Sequence, residues 1–179
     1  TLDRSSAASD VYKRQELQGK TLGIVGFGRI GQHLGVMAKA IGMKVIAFDI
    51  YQVPVISEQL GIPYVEMDEL LAQSDFISVH APAVDGGALI SAENIAKMKD
   101  GVVVINTSRG TNVDEAALLA ALESGKVRAA GLDVYADEPA SNVALYSHPM
   151  VSCTPHIGAA TVEAQKRIGQ EIVEIIAAM

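Results

Sequence analysis

The sequence predicts an α/β protein built on one doubly wound parallel sheet. Short β-branched runs alternate with helical segments from Thr21 onward, the pattern of repeated right-handed crossovers. Hydrophobic residues make up 49% of the 179 residues and aromatic residues only 4%, so the core is aliphatic, as suits a parallel sheet covered by helices. Ligands of such sheets bind at the carboxyl ends of the strands, where the strand order reverses. Functional residues are therefore expected at those ends.

The alternation predicts six strands and five helices. The strands are TLGIVG (21–26), KVIAFD (44–49), DFISVHA (75–81), GVVVINTS (101–108), RAAGLDV (128–134) and MVSCTP (150–155). The helices are GRIGQHLGVMAKAIG (28–42), MDELLAQS (67–74), SAENIAKMKDG (91–101), VDEAALLAALESGK (113–126) and ATVEAQKRIGQEIVEIIAAM (160–179). Apolar residues of the fourth helix follow one face, and Gly125 lies where that helix should end.

Composition excludes several classes of protein. Fourteen basic residues stand against 21 acidic ones, a net charge of −7, so the basic surface needed to bind nucleic acid is missing. The single cysteine, Cys153, excludes an internal disulfide framework and is compatible with a reducing compartment. No apolar stretch approaches the roughly 20 residues that span a bilayer, and no export signal is visible. We expect a cytoplasmic protein that binds a small molecule, without a metal site or a membrane partner.

A glycine-rich turn follows the first predicted strand. Gly26, Gly28 and Gly31 stand in the order G-x-G-x-x-G between a strand and an apolar helix, where a turn, a close backbone approach to a pyrophosphate and tight helix packing are needed. Asp49 ends the second strand, where an acid accepts hydrogen bonds from the ribose 2′-hydroxyl and repels a 2′-phosphate. The pattern predicts dinucleotide binding, with NAD favoured over NADP. The alternative is a structural glycine turn followed by an ordinary aspartate.

Charged residues recur at later strand ends. Arg109 follows the strand of residues 101–108, where a guanidinium suits bidentate binding of a carboxylate, although a lone arginine more often forms a surface ion pair. Asp133 ends the next strand, Glu138 follows it, and His156 lies between a proline and a glycine after the last strand. A lone histidine is more often a structural hydrogen-bonding group than a base. His156 differs because Glu138 can orient its ring and raise its pKa toward neutrality.

The ordered motifs VGFGRIG, FD, NTSRG, VDEAAL, GLDVYADEP and TPHIGAAT resemble the NAD-dependent D-2-hydroxyacid dehydrogenases. The resemblance covers residues 16–179 and implies a Rossmann-type NAD-binding domain. It makes Arg109 the residue that binds the substrate carboxylate and carbonyl, His156 the acid/base and Glu138 its partner, with Asp133 holding the nicotinamide carboxamide. The remaining cofactor-contacting positions that it implies are Arg29, Ile30, His80, Ala81, Pro82, Thr107, Ser108, His156 and Gly158.

The resemblance also implies a reaction. His156 takes the proton of the 2-hydroxyl group while a hydride passes to the nicotinamide, and Arg109 polarises the carbonyl that forms. Residues 97–127 and 154–172 look most like the branch of the family that oxidises D-3-phosphoglycerate to 3-phosphohydroxypyruvate at the start of serine synthesis. Dehydrogenases of glycerate, lactate or other 2-hydroxy acids remain alternatives. An NAD-sensing corepressor with the same fold is a further alternative from a different class of protein.

Both ends of the chain raise an expectation about its extent. Ser5 to Gln15 matches, residue for residue, the translation of a transposase-type sequencing adapter, so residues 1–15 are predicted to be a non-native tail and residues 16–179 the NAD-binding domain with a truncated final helix. Family members carry a second, smaller domain that forms the other wall of the active site, and this sequence largely lacks it. We expect the parent enzyme to be a homodimer or a higher homo-oligomer.

Overall fold

The computed structural model describes residues 16–83 and 86–178, and within them a six-stranded parallel sheet with the order β2-β1-β3-β4-β5-β6 confirms the predicted fold class. The strands are β1 (Thr21–Val25), β2 (Lys44–Phe48), β3 (Phe76–Val79), β4 (Val102–Asn106), β5 (Val127–Leu132) and β6 (Val151–Cys153). All six lie within or next to the predicted segments. The predicted non-native tail lies outside the described residues and stays a prediction.

Seven helices connect or follow the strands in the described part of the chain. They are α1 (Arg29–Ala40), α2 (Pro54–Leu60), α3 (Met67–Gln73), α4 (Ala92–Lys97), α5 (Glu115–Glu123), α6 (Val143–Tyr146) and α7 (Val162–Ala177). The sequence analysis missed α2 and α6. Helix α2 has its own signals, with Pro54 in its first turn and Gly61 in the left-handed conformation at its end. Helix α6 has a single turn, capped by the Asn142 side chain, which is too short for any apolar period.

Helices cover both faces of the sheet because side chains alternate along each strand. On one face, Leu22 and Ile24 of β1 pack in a core cluster with Ala38 of α1. On the other face, a larger cluster joins the strands to apolar residues of α3 through α6, among them Leu70 and Leu118. Helices α1 and α3 thus lie on opposite faces of the sheet, as in a doubly wound fold.

The reversal of strand order lies at β1. This strand pairs with β2 along one edge and with β3 along the other, so the chain leaves β1 in one direction and returns on its far side. The connections that follow β1 and β3 therefore diverge at the carboxyl ends of the strands and open a crevice there. That crevice receives the glycine turn and Asp49.

Helix α7 stands apart from this core. The Thr161 side chain caps it by accepting a hydrogen bond from the Ala164 N–H. None of its described residues is buried, and its apolar Ile168 and Ile172 side chains are exposed. No helix in residues 16–83 and 86–178 is long and apolar enough to cross a membrane.

Substitution of Gly23 tests the packing of β1 against α3. A Cβ atom at Gly23 would lie 2.6 Å from Leu70 Cδ2 and would overlap Ser74 Oγ, so Gly23→Ala should lower the free energy of unfolding by about 1–3 kcal/mol in urea denaturation. Gly169→Ala, on exposed α7 with no neighbour within 4 Å, is the control and should not destabilise the chain. Equal effects of the two substitutions would contradict this account of the packing.

Candidate active site

The glycine turn is shaped by close backbone contacts. Gly26 has φ +92°, and a Cβ atom there would lie 2.5 Å from the Ala81 nitrogen, so only glycine fits between β1 and the segment after β3. A Cβ at Gly31 would overlap the Gly26 carbonyl oxygen, so this glycine allows α1 to approach the turn. Gly28 differs, because a Cβ there would meet nothing within 4 Å. Open space beside an extended glycine at the start of a helix is what a pyrophosphate requires.

Asp49 is held in place by main-chain amides. Its Oδ2 accepts a hydrogen bond from the Phe27 N–H at 2.7 Å, and its Oδ1 accepts one from the Tyr51 N–H at 2.8 Å. Because a carboxylate has about four acceptor positions, each oxygen keeps one for a ligand. The carboxylate therefore ties the glycine turn to the end of β2 and retains the capacity to bind ribose hydroxyl groups.

These residues share a cleft of about 380 Å³ at the carboxyl ends of β1, β2 and β3. Of the residues that the sequence assigned to the cofactor, the cleft is lined by Gly26, Gly28, Asp49, His80, Ala81 and Pro82. The residues at hand fit NAD, with open space at Gly28 for the phosphates and the fixed Asp49 carboxylate for a ribose. The other residues assigned to the cofactor, which are Arg29, Ile30, Gly31, Thr107, Ser108, Asp133, His156 and Gly158, lie outside this lining.

His80 lines the cleft with an uncharged side chain. Burial lowers the pKa of its imidazole, and its Nε2 lies 2.8 Å from the Ser78 hydroxyl oxygen. The lowered pKa means that the ring carries no charge at neutral pH. His80 therefore contributes shape and hydrogen bonding to the cleft without adding a cation.

Arg109 is presented by a turn built on a buried asparagine. Asn106, the last residue of β4, is fully buried, and its Oδ1 accepts hydrogen bonds from the Ser108 N–H at 3.1 Å and the Ser108 hydroxyl at 2.8 Å. Its Nδ2 donates to the Arg109 carbonyl oxygen at 2.9 Å. The side chains of Arg109 and Thr107 are exposed at this turn. Sequence analysis missed Asn106, although its place inside the NTSRG motif at a strand end was a usable signal.

The structure brings the three predicted catalytic residues together. Arg109, Glu138 and His156 line one cavity of about 290 Å³, together with Gly110 and Thr111 of the 3₁₀ turn (residues 110–112) and the segment after β5. Arg109 comes from the end of β4, Glu138 follows β5 and His156 follows β6, so three neighbouring strand ends supply them. A guanidinium beside a histidine and a carboxylate is the combination that can bind an acid and move a proton next to it.

Glu138 and His156 form a hydrogen-bonded pair. The His156 Nδ1 lies 3.0 Å from Oε1 and 2.9 Å from Oε2 of Glu138. The hydrogen bond from His156 is the main cause that lowers the pKa of Glu138, so the carboxylate is ionised and accepts a hydrogen bond from the Nδ1–H group. The His156 Nε2 is thereby left free to accept or donate the proton of a bound molecule.

His156 lies in a strained turn that Asp133 holds closed. His156 has φ +52°, in the left-handed region that residues with a side chain rarely adopt. Buried Asp133 accepts hydrogen bonds from the main-chain amides of Ile157 and Gly158, both at 2.9 Å, and from the Thr154 hydroxyl. Burial makes the largest single contribution to the pKa of Asp133 and raises it. The hydrogen bonds together outweigh burial, so the pKa is lowered. Three of its acceptor positions are therefore used inside the protein, and Oδ2 keeps one, so the predicted contact with the nicotinamide carboxamide stays a prediction.

Two tyrosines support the segment that carries Glu138, and the sequence analysis did not identify them. The Tyr135 hydroxyl donates to the Thr154 carbonyl oxygen at 2.6 Å, and burial raises the pKa of Tyr135 to about 12. Its ring packs edge-on against Tyr146, with centroids 4.9 Å apart. The Tyr146 hydroxyl donates to the Glu115 carboxylate at 2.9 Å, and Glu115 also accepts from the Ala136 N–H at 2.9 Å. Helix α5 thus anchors the loop between β5 and Glu138.

Comparison with known proteins places this geometry in a family. The family model described as "D-isomer specific 2-hydroxyacid dehydrogenase, NAD binding domain" matches residues 3–158. The chain belongs to this family. Its doubly wound sheet is the NAD-binding domain, and NAD is its cofactor.

Relatives of the NAD-binding domain include enzymes with different names. The chain is 46% identical to the D-3-phosphoglycerate dehydrogenase of Mycobacterium leprae, covering 96% of this chain and 34% of the relative. It is 50% identical to the hydroxypyruvate reductase of Thermotoga maritima, covering 92% of this chain and 54% of the relative. The chain therefore spans about a third to a half of the length of these curated relatives.

Solved structures agree with this assignment. The D-lactate dehydrogenase of Aquifex aeolicus, complexed with NAD and lactic acid, has a TM-score of 0.82 and 36% identity, over 92% of this chain and 54% of that chain. The glyoxylate reductase of Paecilomyes thermophila has a TM-score of 0.82 and 44% identity, over 87% of this chain and 48% of that chain. The Rossmann-type NAD-binding domain expected from the sequence is confirmed.

Gly28→Ala tests the use of the open space in the glycine turn. Because a Cβ there meets no protein atom within 4 Å, the substitution should leave the urea midpoint unchanged. The methyl group would occupy the space needed for the pyrophosphate, so NADH should bind at least about tenfold more weakly in calorimetric titration. Gly169→Ala serves as the control. Unchanged NADH affinity in Gly28→Ala would mean that the phosphates lie elsewhere.

The Glu138–His156 pair predicts a pH dependence of stability. Because the pKa of Glu138 is lowered in the folded state, the pair stabilises the protein above the carboxyl's ordinary pKa of 4.5 and loses this contribution as pH falls through the lower folded value. The difference in free energy of unfolding between wild type and Glu138→Gln should therefore shrink below about pH 5. Glu174→Gln, on exposed α7, removes the same charge far from the pair and should show no such trend.

Proposed function

We propose that the whole protein is an NAD-dependent D-2-hydroxyacid dehydrogenase in which Arg109, Glu138 and His156 carry out the substrate chemistry. One observation carries the proposal: the hydrogen-bonded Glu138–His156 pair and Arg109 line a single cavity at neighbouring strand ends. Membership of the family and the adjoining NAD cleft support the same reaction class. A bound NAD supplies the hydride acceptor.

Each side chain has a separate role in the proposed reaction. The Arg109 guanidinium binds the carboxylate of the 2-hydroxy acid and polarises the oxygen at C2. The free Nε2 of His156 accepts the proton of the 2-hydroxyl group, and the ionised Glu138 stabilises the imidazolium that results. In the reverse direction, His156 returns that proton to the carbonyl oxygen. Asp133 contributes indirectly, because it holds the turn that aims the imidazole.

We propose D-3-phosphoglycerate as the substrate, with 3-phosphohydroxypyruvate as the product in serine biosynthesis. The 46% identity to the Mycobacterium leprae D-3-phosphoglycerate dehydrogenase supports this choice. The competing candidate is hydroxypyruvate, because the Thermotoga maritima hydroxypyruvate reductase is 50% identical over a similar stretch. Reduction of hydroxypyruvate gives glycerate, so glycerate belongs to this competing candidate, and lactate is the remaining one. Phosphoglycerate requires a cationic group for its phosphate, and this requirement distinguishes it from both.

The relatives are longer than this chain, and we propose that the additional residues of the whole protein supply the second wall of the substrate cavity. We also propose that the whole enzyme is a cytoplasmic homo-oligomer. The described domain alone is proposed to bind NAD. The purified 179-residue chain should therefore bind NADH and turn over little or no substrate. Rapid turnover by this chain alone would contradict the need for a second wall.

Assay of the full-length gene product tests the proposed reaction. NAD reduction followed at 340 nm should be fastest with D-3-phosphoglycerate, compared with D-glycerate and D-lactate, and NADH oxidation by hydroxypyruvate should be slower than by 3-phosphohydroxypyruvate. His156→Gln should lower kcat by about 10²–10⁴-fold and should still bind NADH. NADH binding without turnover of any 2-hydroxy acid would instead favour the NAD-sensing corepressor.

A further inference from the structure

A second buried asparagine lies behind the two cavities. Asn112 is fully buried in the 3₁₀ turn after Arg109. Its Nδ2 lies 2.9 Å from the Ala81 carbonyl oxygen, 3.2 Å from the Pro82 carbonyl oxygen and 3.1 Å from the Ser108 hydroxyl oxygen. One amide group thus touches both the wall of the NAD cleft and the turn that presents Arg109.

The main chain of Asn112 is also hydrogen-bonded to Ile90. Its main-chain carbonyl accepts a hydrogen bond from the Ile90 N–H at 2.9 Å, and the Ile90 carbonyl accepts one from the Asp114 N–H at 3.0 Å. Ala81 and Pro82 on one side and Ile90 on the other are therefore all hydrogen-bonded to Asn112.

The two ends of the Asn112 amide group have different surroundings. The Oδ1 of Asn112 is buried and has no hydrogen-bond partner within residues 16–83 and 86–178, whereas Nδ2 faces two carbonyl oxygens and so cannot exchange places with it. An unpaired buried acceptor is costly, but an aliphatic side chain of similar size would leave the Ala81 and Pro82 carbonyl oxygens without this donor. The contacts of Nδ2 are what the asparagine adds.

A continuous path of contacts runs through this residue. Gly26 packs against the main chain of Ala81, which binds the Asn112 amide. That amide reaches Ser108, and the Asn112 N–H donates to the Arg109 carbonyl oxygen at 3.1 Å. We propose that Asn112 is a positioning residue that couples the pyrophosphate turn to Arg109, so that occupancy of the NAD cleft sets the orientation of the substrate-binding arginine. The inference rests on the proposed function for the role of Arg109.

The coupling is measurable without turnover. ADP serves as the probe, because it occupies the glycine turn and lacks the nicotinamide half. In amide NMR spectra of the 179-residue chain, ADP should shift the resonances of Gly26 and Gly28 and also those of Ser108 and Gly110. In Asn112→Leu, the first pair should still shift and the response of the second pair should be lost.

Two further variants separate coupling from general damage. Ser108→Ala removes the hydroxyl at the other end of the path with little change in volume and should lose the same response, so the test does not depend on the folding of Asn112→Leu. Ser74→Ala, which removes a buried hydrogen bond to the Leu70 carbonyl oxygen on α3, is the control and should keep the full response.

In the full-length enzyme, Asn112→Leu should raise the KM for the 2-hydroxy acid about tenfold at saturating NAD, because the arginine is no longer held when the cofactor binds. Silent Ser108 and Gly110 amides in the ADP-bound wild type, or an undiminished response in both path variants, would overturn the inference. The NMR result does not depend on a dehydrogenase assay, so failure of the coupling and failure of the proposed function are separate observations.

Discussion

The pairing of β1 with β2 on one side and β3 on the other is the constraint on which the rest of the molecule depends. Parallel hydrogen bonding in this order places the ends of three strands side by side while sending their connections in opposite directions. The glycine turn follows β1, Asp49 follows β2 and the wall from His80 to Pro82 follows β3. A slip of one residue in β1 would turn Leu22 and Ile24 toward the α3 face and separate Gly26 from Ala81.

The three residues that we propose to act on the substrate also lie after strand ends, but buried polar side chains hold them in place. Arg109, Glu138 and His156 are at the surface, where bare ion pairs contribute little. Their positions are instead fixed from below by buried polar groups, namely Asn106 under the arginine turn and Asp133 under the histidine turn. Main-chain amides and carbonyls are the partners in both cases, so precise placement of exposed side chains is achieved by buried hydrogen bonds to the backbone.

Sequence could predict the strands, five of the seven helices in the described residues and the motif residues because their signals are local. The glycine spacing, Asp49 at a strand end and the six strands all follow from neighbours in the chain. The supporting residues could not be predicted in the same way. Tyr146 meets Glu115 across 31 positions and Asp133 meets Gly158 across 25, and only the folded sheet brings these groups together. The support that Asp133 gives to the His156 turn shows this limit, since nothing local reveals that its carboxylate accepts hydrogen bonds from amides of a later turn.

The left-handed backbone at His156 places two demands on one position. Glycine would adopt φ +52° without strain, whereas an L-residue with a side chain pays roughly 1–2 kcal/mol to do so. The imidazole proposed to accept the proton therefore occupies a position at which folding stability alone would favour glycine. At position 156, folding stability favours glycine, whereas the proposed catalysis requires histidine. If catalysis were no longer selected for, we would expect this histidine to be lost early in evolution.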